Sequence, residues 1–228
     1  MITSTAEMRK LAAEASPGYS ADVIYATVLS ALGKIHSGVV LDFGAGQGRF
    51  AKLLAKSQTY SRVDAVDLID YEDRAADDIH WIHWDLNEPI PIPDATYDVI
   101  AAVEVIEHLE NVRAVAREWF RLLRPGGTLV FSTPNNESWR ALLSLVIKGQ
   151  FVLFTASSYP AHITALLRVD MERALTEAGF CGVRFSYTND GGVPKLPHIK
   201  WQAISFGLLK GMRFSDHVVC TASKPAEE

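Results

Sequence analysis

Short apolar runs recur along the first part of the chain, and most are followed by a stretch with helical spacing. The runs are Val39–Phe43, Arg62–Asp67, His80–Asp85, Tyr97–Val103 and Thr128–Thr133. Several are apolar at nearly every position, as strands covered on both faces are, rather than alternating as a half-solvated sheet would be. Between them, residues 49–56 turn Phe50, Leu53 and Leu54 to one side. Residues 111–123 do the same with Val112, Val115, Trp119 and Leu122 before Pro125-Gly126-Gly127 stops the pattern. Strand–helix alternation of this kind predicts an α/β fold: a doubly wound, mostly parallel sheet with helices on both faces. Two helices, over residues 6–15 and 22–32, are predicted ahead of the first strand, with a loop bracketed by Gly33 and Gly38.

The rhythm changes after Pro134. Residues 139–154 are mostly apolar, and a loop with Tyr159-Pro160 and His162 follows. A helix over 168–178, a strand over 181–187 and a last strand over 217–223 complete the pattern, with a long connection over 190–215. The whole chain reads as one domain: residues 1–38 cover the site, residues 135–168 form a lid or substrate insertion, and 190–215 is a second insertion.

Chemistry collects where strands end. The first run passes through Asp42 into a loop with Gly44, Ala45, Gly46 and Gly48. Glycine is needed where backbone φ is positive or a ligand approaches too closely for a Cβ. A dinucleotide loop places glycine where Asp42 stands, so this loop suits a ligand that carries a cation. The second run ends at Asp67, at about the 20-residue spacing that brings a carboxylate to a ribose. The third closes on Asp85-Leu86, and the fourth leads into Glu104-Val105-Ile106-Glu107-His108.

Composition narrows the class. The 228 residues, 48% hydrophobic, suffice for one substantial core, and the formal charge of −5 disfavours a broad grip on nucleic acid. Acidic residues dominate up to residue 138, whereas basic ones slightly outnumber them afterwards. Cys181 and Cys220 form no disulfide framework or metal-finger spacing. The first 20 residues lack the apolar core of a signal peptide, and no run reaches the ~20 residues of a membrane span. A cytoplasmic location is expected.

Taken in order, these motifs resemble the class I S-adenosylmethionine-dependent methyltransferases. The likeness spans about Val39 to Phe180. It is carried by Val40–Gly48, Asp67, Asp85-Leu86, Tyr97–Ile100 with Glu104 and Glu107-His108-Leu109, and Leu122–Gly127. The resemblance implies a seven-stranded sheet with an antiparallel last strand, and S-adenosylmethionine as cofactor with S-adenosylhomocysteine as product. It implies that Gly44, Ala45, Gly46 and Gly48 lie against the amino-acid end, with Asp42 serving the ammonium. Asp67, followed by Leu68, would take the ribose hydroxyls, Asp85 and Leu86 the adenine, and Glu104 the wall towards the methyl-transfer pocket.

An oxygen nucleophile needs a proton acceptor or a metal. The catalytic candidates are His108, Glu107 and His162. With Glu104 they also resemble the metal set of small-RNA 3′-terminal 2′-O-methyltransferases, and Glu-x-x-Glu-His recurs in ubiquinone-pathway O-methyltransferases. The same corner is common in metal-free members, and a metal-free site is the expectation. The expected activity is O-methylation of a small molecule, quinone or sugar. The alternatives are metal-assisted methylation of an RNA-terminal ribose and a cofactor-binding regulatory module. The apolar stretch after Trp139 reads either as a pair of lid helices packed on the sheet or as a surface for a glycan- or lipid-linked acceptor. Arg140 and Lys148 would then face anionic groups, with peripheral membrane contact left open.

Overall fold

The computed structural model describes residues 4–33, 38–70 and 78–226. The loop expected between Gly33 and Gly38 falls on 34–37, outside the described residues. The elements run α1 (Thr5–Glu14), α2 (Asp22–Leu32), β1 (Val39–Phe43), α3 (Arg49–Lys56), β2 (Arg62–Asp67), β3 (Ile79–His83) and β4 (Tyr97–Val103). They continue with α4 (Val112–Leu122), β5 (Leu123–Pro134), α5 (Trp139–Lys148), α6 (Arg168–Ala178), β6 (Cys181–Tyr187), β7 (Gly192–Val193), β8 (Leu196–Lys200), α7 (Trp201–Ile204) and β9 (His217–Ser223).

Seven strands form one sheet in the order β3-β2-β1-β4-β5-β9-β6. The pairs from β3 through β5 are parallel, and β9 runs antiparallel to both of its neighbours. Two cores explain the continuous apolar runs. Leu41, Phe43, Ile100 and Phe131 face Trp119 of α4 and Met171 and Leu175 of α6. Val40, Val99, Ala101 and Val130 face Ile24 and Val28 of α2 and Phe50 and Leu54 of α3. Neighbouring residues of one strand thus serve opposite cores, and burying each such side chain contributes about 1.5–3 kcal/mol.

Some boundaries differ from the sequence reading. β3 ends at His83, which leaves Asp85 in the loop beyond it. β5 reaches back to Leu123, which pairs with Tyr97 before the register shifts. After Pro134 the apolar stretch forms one helix, α5, rather than a packed pair: Ser138 caps it, Gly149 ends it, and only its Ala141 is buried. The 190–215 connection holds the small hairpin β7–β8 and the one-turn α7. Among the described residues no helix is long and apolar enough to cross a membrane.

Because β1, β2, β4 and β5 are parallel, their carboxyl ends open on one edge, and β9 starts there because it runs the other way. That edge is where an open α/β sheet binds ligands.

Candidate active site

A cavity of about 480 Å³ lies at this edge. Asp42, Gly44, Ala45, Gly46, Asp67, Leu68, Asp85, Leu86, Glu104, His108 and His162 all line it. Two sequence candidates stand off its wall. Gly48 caps α3 in the left-handed region (φ 76°), and a Cβ there would collide with the Trp81 ring. Glu107 is fully buried behind His108.

The glycine loop is shaped as much by the protein as by a ligand. Gly44 and Gly46 have φ of 82° and 53°. A Cβ on Gly44 would meet the Val105 side chain, and one on Gly46 would meet the carbonyl of Gly18. The segment after α1 therefore lies directly on the loop. Gln47 N donates to Gly18 O at 2.8 Å, and Gln47 Nε2 donates to Pro17 O at 2.8 Å.

Asp67 bridges the loop and its own strand end. Its Oδ2 accepts from Gly46 N at 2.8 Å and its Oδ1 from Ile69 N at 2.9 Å. Asp42 is only 1% exposed, and among the described residues its Oδ2 has no hydrogen-bond partner. Burial, followed by the nearby charge of Asp67, pushes its carboxyl up to about 7. A buried acid with an orphaned oxygen beside a second acid calls for a cation.

This predicts a pH dependence. A carboxyl raised by burial favours the protonated folded state, so Asp42 contributes stability that is present below the unfolded value of 3.8 and lost as pH rises through about 7. Binding an ammonium reverses the preference and expels the proton. Affinity for an ammonium-bearing ligand should therefore fall severalfold from pH 8 to pH 6, less than tenfold because an α-amino group itself gains charge over that range. Titration calorimetry across that range checks it, and Asp42→Asn should remove the dependence on Asp42.

At the other end, Asp85 does not wait free. Its Oδ1 accepts from Asn87 N at 2.9 Å, and its Oδ2 from Arg9 Nη1 at 3.0 Å. Arg9 also meets Glu88 at 2.7 Å and Glu110 at 2.8 Å, and these three carboxylates hold its guanidinium charged. No side chain of α1 is buried, so Arg9 is its main fastening over the cavity. Arg9→Ala should speed amide exchange across residues 5–14 and weaken cofactor binding severalfold, an effect that high salt should reproduce in the unmodified protein. Unchanged exchange would show that α1 is held by something else.

Glu104 ends β4 with φ 55°, an uncommon conformation for a non-glycine residue at the cavity wall. Ser132 secures it: its hydroxyl accepts from Glu104 N at 3.0 Å and donates to Oε1 at 2.8 Å. His217 Nε2 lies 3.5 Å from Glu104 Oε2 and also lines the cavity. Sequence reasoning assigned His217 only to a strand. Its signal was the antiparallel direction of the last strand, which brings the strand's first residue to the carboxyl ends of the others.

Beyond Glu104 two imidazoles meet edge to face, with ring centroids 4.9 Å apart. His108 Nδ1 lies 2.8 Å from Ala161 O, and His162 Nδ1 lies 2.7 Å from Leu153 O. A carbonyl only accepts, so each Nδ1 that meets one carries the proton, and the Glu104 carbonyl also faces the His108 ring. Burial lowers both pKa values, and His108 further lowers that of His162, so both rings are neutral at pH 7. Glu107 is held well above the usual carboxylate range by burial and by Glu104. Its Oε2 accepts from Thr133 Oγ1 at 3.1 Å, while Oε1 has no partner among the described residues. Its main-chain carbonyl receives Ile163 N at 3.0 Å and Thr164 N at 2.9 Å, which fastens the His162 loop to the corner. Ligand atoms of Glu107, His108 and His162 all lie within 4.8 Å of one another.

The fold and this site together define a methyltransferase-type domain. A family model described as methyltransferase domain matches residues 18–184, and the chain belongs to that family. A Mycolicibacterium smegmatis protein named "probable S-adenosylmethionine-dependent methyltransferase" is 37% identical over 103 residues, 42% of this chain and 38% of that protein. Malonyl-[acyl-carrier protein] O-methyltransferase of Yersinia pestis is 38% identical over 112 residues, 45% of this chain and 39% of that enzyme. The chain thus spans well under half the length of these relatives. The crystal structure of a SAM-dependent methyltransferase from Archaeoglobus fulgidus superposes with a TM-score of 0.64 at 18% identity, covering 90% of this chain and 95% of that one. At that identity the likeness speaks for the fold.

The cofactor of such domains, S-adenosylmethionine, fits the residues present. The orphaned Asp42 Oδ2 answers an ammonium, and the Asp67 carboxylate, on the cavity wall at the end of β2, is of the kind that receives ribose hydroxyls.

Proposed function

We propose that this protein transfers a methyl group from S-adenosylmethionine to an oxygen of a small acceptor, a hydroxyl on a quinone, sugar or lipid-linked molecule. The observation that carries this reading is the pair of neutral imidazoles, each anchored through Nδ1 to a main-chain carbonyl. Such rings hold a lone pair ready for the proton of a hydroxyl. Relatives named as O-methyltransferases support oxygen as the accepting atom.

The cofactor supplies an activated methyl group on a sulfonium, so no strong nucleophile is required of the protein. What the chain contributes is position. Asp42 and the loop would fix the cofactor's amino-acid end, Asp67 its ribose and Asp85 with Leu86 its adenine, and the segment 16–20 would exclude water above it. Holding two reactants in line in this way can lower the barrier by about 7–11 kcal/mol. His108 Nε2 would take the hydroxyl proton, with His162 packed against its ring and Glu107 behind it, neutral and hydrogen-bonded to Thr133. Residues 135–168 supply Leu153, Tyr159 and His162 to the cavity and would select the acceptor. The two free cysteines, Cys181 and Cys220, support a cytoplasmic setting.

Release of S-adenosylhomocysteine over a panel of hydroxyl, carboxylate and amine acceptors tests the reading. Turnover confined to amines would overturn it, and cofactor binding without any turnover would favour a regulatory module. A second reading rests on the close approach of Glu107, His108 and His162, which could hold a divalent metal. Activity abolished by EDTA and restored by Mg²⁺ or Mn²⁺ would select it, and activity unchanged in EDTA would dismiss it.

A further inference from the structure

The two longest stretches without an acid, in a chain of 27 acidic residues, are 138–169 and 191–215. They are the two stretches that interrupt the βα rhythm. Among the described residues, every large apolar side chain more than half exposed lies within them: Val146, Ile147, Tyr159, Ile204, Phe206 and Leu208. Scattered exposed apolar residues are ordinary, but a concentration of the most exposed ones in the two longest acid-free stretches is not.

The two segments are clasped at their roots. Arg213 donates to Glu137 O at 2.6 Å, and its guanidinium lies 5.5 Å from the Trp139 ring centroid at the start of α5. Asn135 Nδ2 donates to Met212 O at 2.6 Å and Ser215 O at 2.8 Å. The first segment continues from α5 to Leu153, Tyr159 and His162 on the cavity wall.

The orientation of α5 is the informative feature. Trp139, Leu143, Val146 and Ile147 recur at the spacing of one helix face, the arrangement that normally packs on a core. Here that face is outward: Val146 is 83% exposed and only Ala141 of the helix is buried. In the second segment Phe206, with φ 51°, stands 94% exposed and Leu208 85% exposed on the loop after α7. Lys148, Lys195 and Lys210 are exposed, and among the described residues none has a carboxylate partner. An outward apolar stripe, a protruding loop with Phe and Leu, and exposed lysines without acids make up the chemistry of an interfacial anchor. Trp139 and Tyr159 add the aromatic rings that favour the boundary between water and acyl chain.

We propose that this face docks on an anionic phospholipid surface, with the Phe206–Leu208 loop and the Val146–Ile147 end of α5 entering the headgroup boundary. Docking there would bring the Tyr159 side of the cavity close to the bilayer, where an amphiphilic acceptor resides. The lipid contact stands apart from the methyl-transfer reading, because vesicle binding is measured without cofactor or acceptor.

The test is co-sedimentation of the full chain with phosphatidylcholine vesicles, with and without phosphatidylglycerol. Binding should require the anionic lipid and weaken as salt rises. Phe206→Ser with Leu208→Ser, and separately Val146→Ser with Ile147→Ser, should each reduce vesicle partitioning by about tenfold or more. Neither pair touches the cofactor site, so an unchanged melting midpoint and unchanged S-adenosylmethionine affinity would verify the fold. Absence of wild-type binding to anionic vesicles would overturn the proposal. So would a dimer in sedimentation velocity that the same substitutions dissociate, since the face would then belong to a second copy of the chain.

Discussion

Replacing Asp67 with alanine is expected to weaken S-adenosylmethionine binding about a hundredfold. Two hydrogen bonds from ribose hydroxyls to a carboxylate, each worth about 1.5 kcal/mol or more, would disappear together. The same carboxylate accepts from Gly46 N and Ile69 N, so its loss also releases the glycine loop from the end of β2. Asp67→Asn keeps an acceptor oxygen but not the charge and should fall between the two. Titration calorimetry measures both variants, with the melting midpoint as a check that the sheet is intact. An affinity for Asp67→Ala within twofold of wild type would mean that the ribose does not sit at this strand end.

The second large effect concerns His108. Once an acceptor is in hand, His108→Ala should lower kcat by about 10²–10⁴ while leaving cofactor affinity within severalfold, as loss of a general base does. The sign of the pH dependence follows from the burial of the ring. Its pKa is lowered from the ordinary 6.5, so the free-base form persists below that pH, and the acid limb of kcat should lie below 6.5 in the wild type. An unaltered kcat in His108→Ala would assign proton removal to His162 or to solvent.

Much of this arrangement was legible from residue order because it depends on local causes. A strand covered on both faces must be apolar at most successive positions, and β1 and β4 are, with Asp42 and Asp98 the exceptions. A parallel sheet opens its strand ends on one edge, so acids closing successive runs had to converge, and Asp42, Asp67, Asp85 and Glu104 share a cavity. What was not legible depends on distance in sequence or on direction. Arg9 reaches Asp85, Glu88 and Glu110 from a helix with no buried side chain, and nothing near Arg9 announces those partners. His217 enters the site only because β9 reverses the direction of the sheet. An apolar stripe on α5 has the same spacing whether it faces a core or the solvent, and only its surroundings reveal that it faces outward. The glycines at 44 and 46 suggested the approach of a ligand, whereas the nearest obstacles are Val105 and the Gly18 carbonyl.

These features converge on one claim, that the cavity behind the glycine loop is built for a sulfonium nucleoside. Thermal denaturation in the presence of S-adenosylmethionine, S-adenosylhomocysteine or NAD tests it most directly. Either sulfur nucleoside at about 100 times its Kd should stabilise the fold by about 2.7 kcal/mol, a rise in Tm of about 5–10 °C, and NAD should leave Tm unchanged. A rise with NAD and none with either sulfur nucleoside would contradict the account.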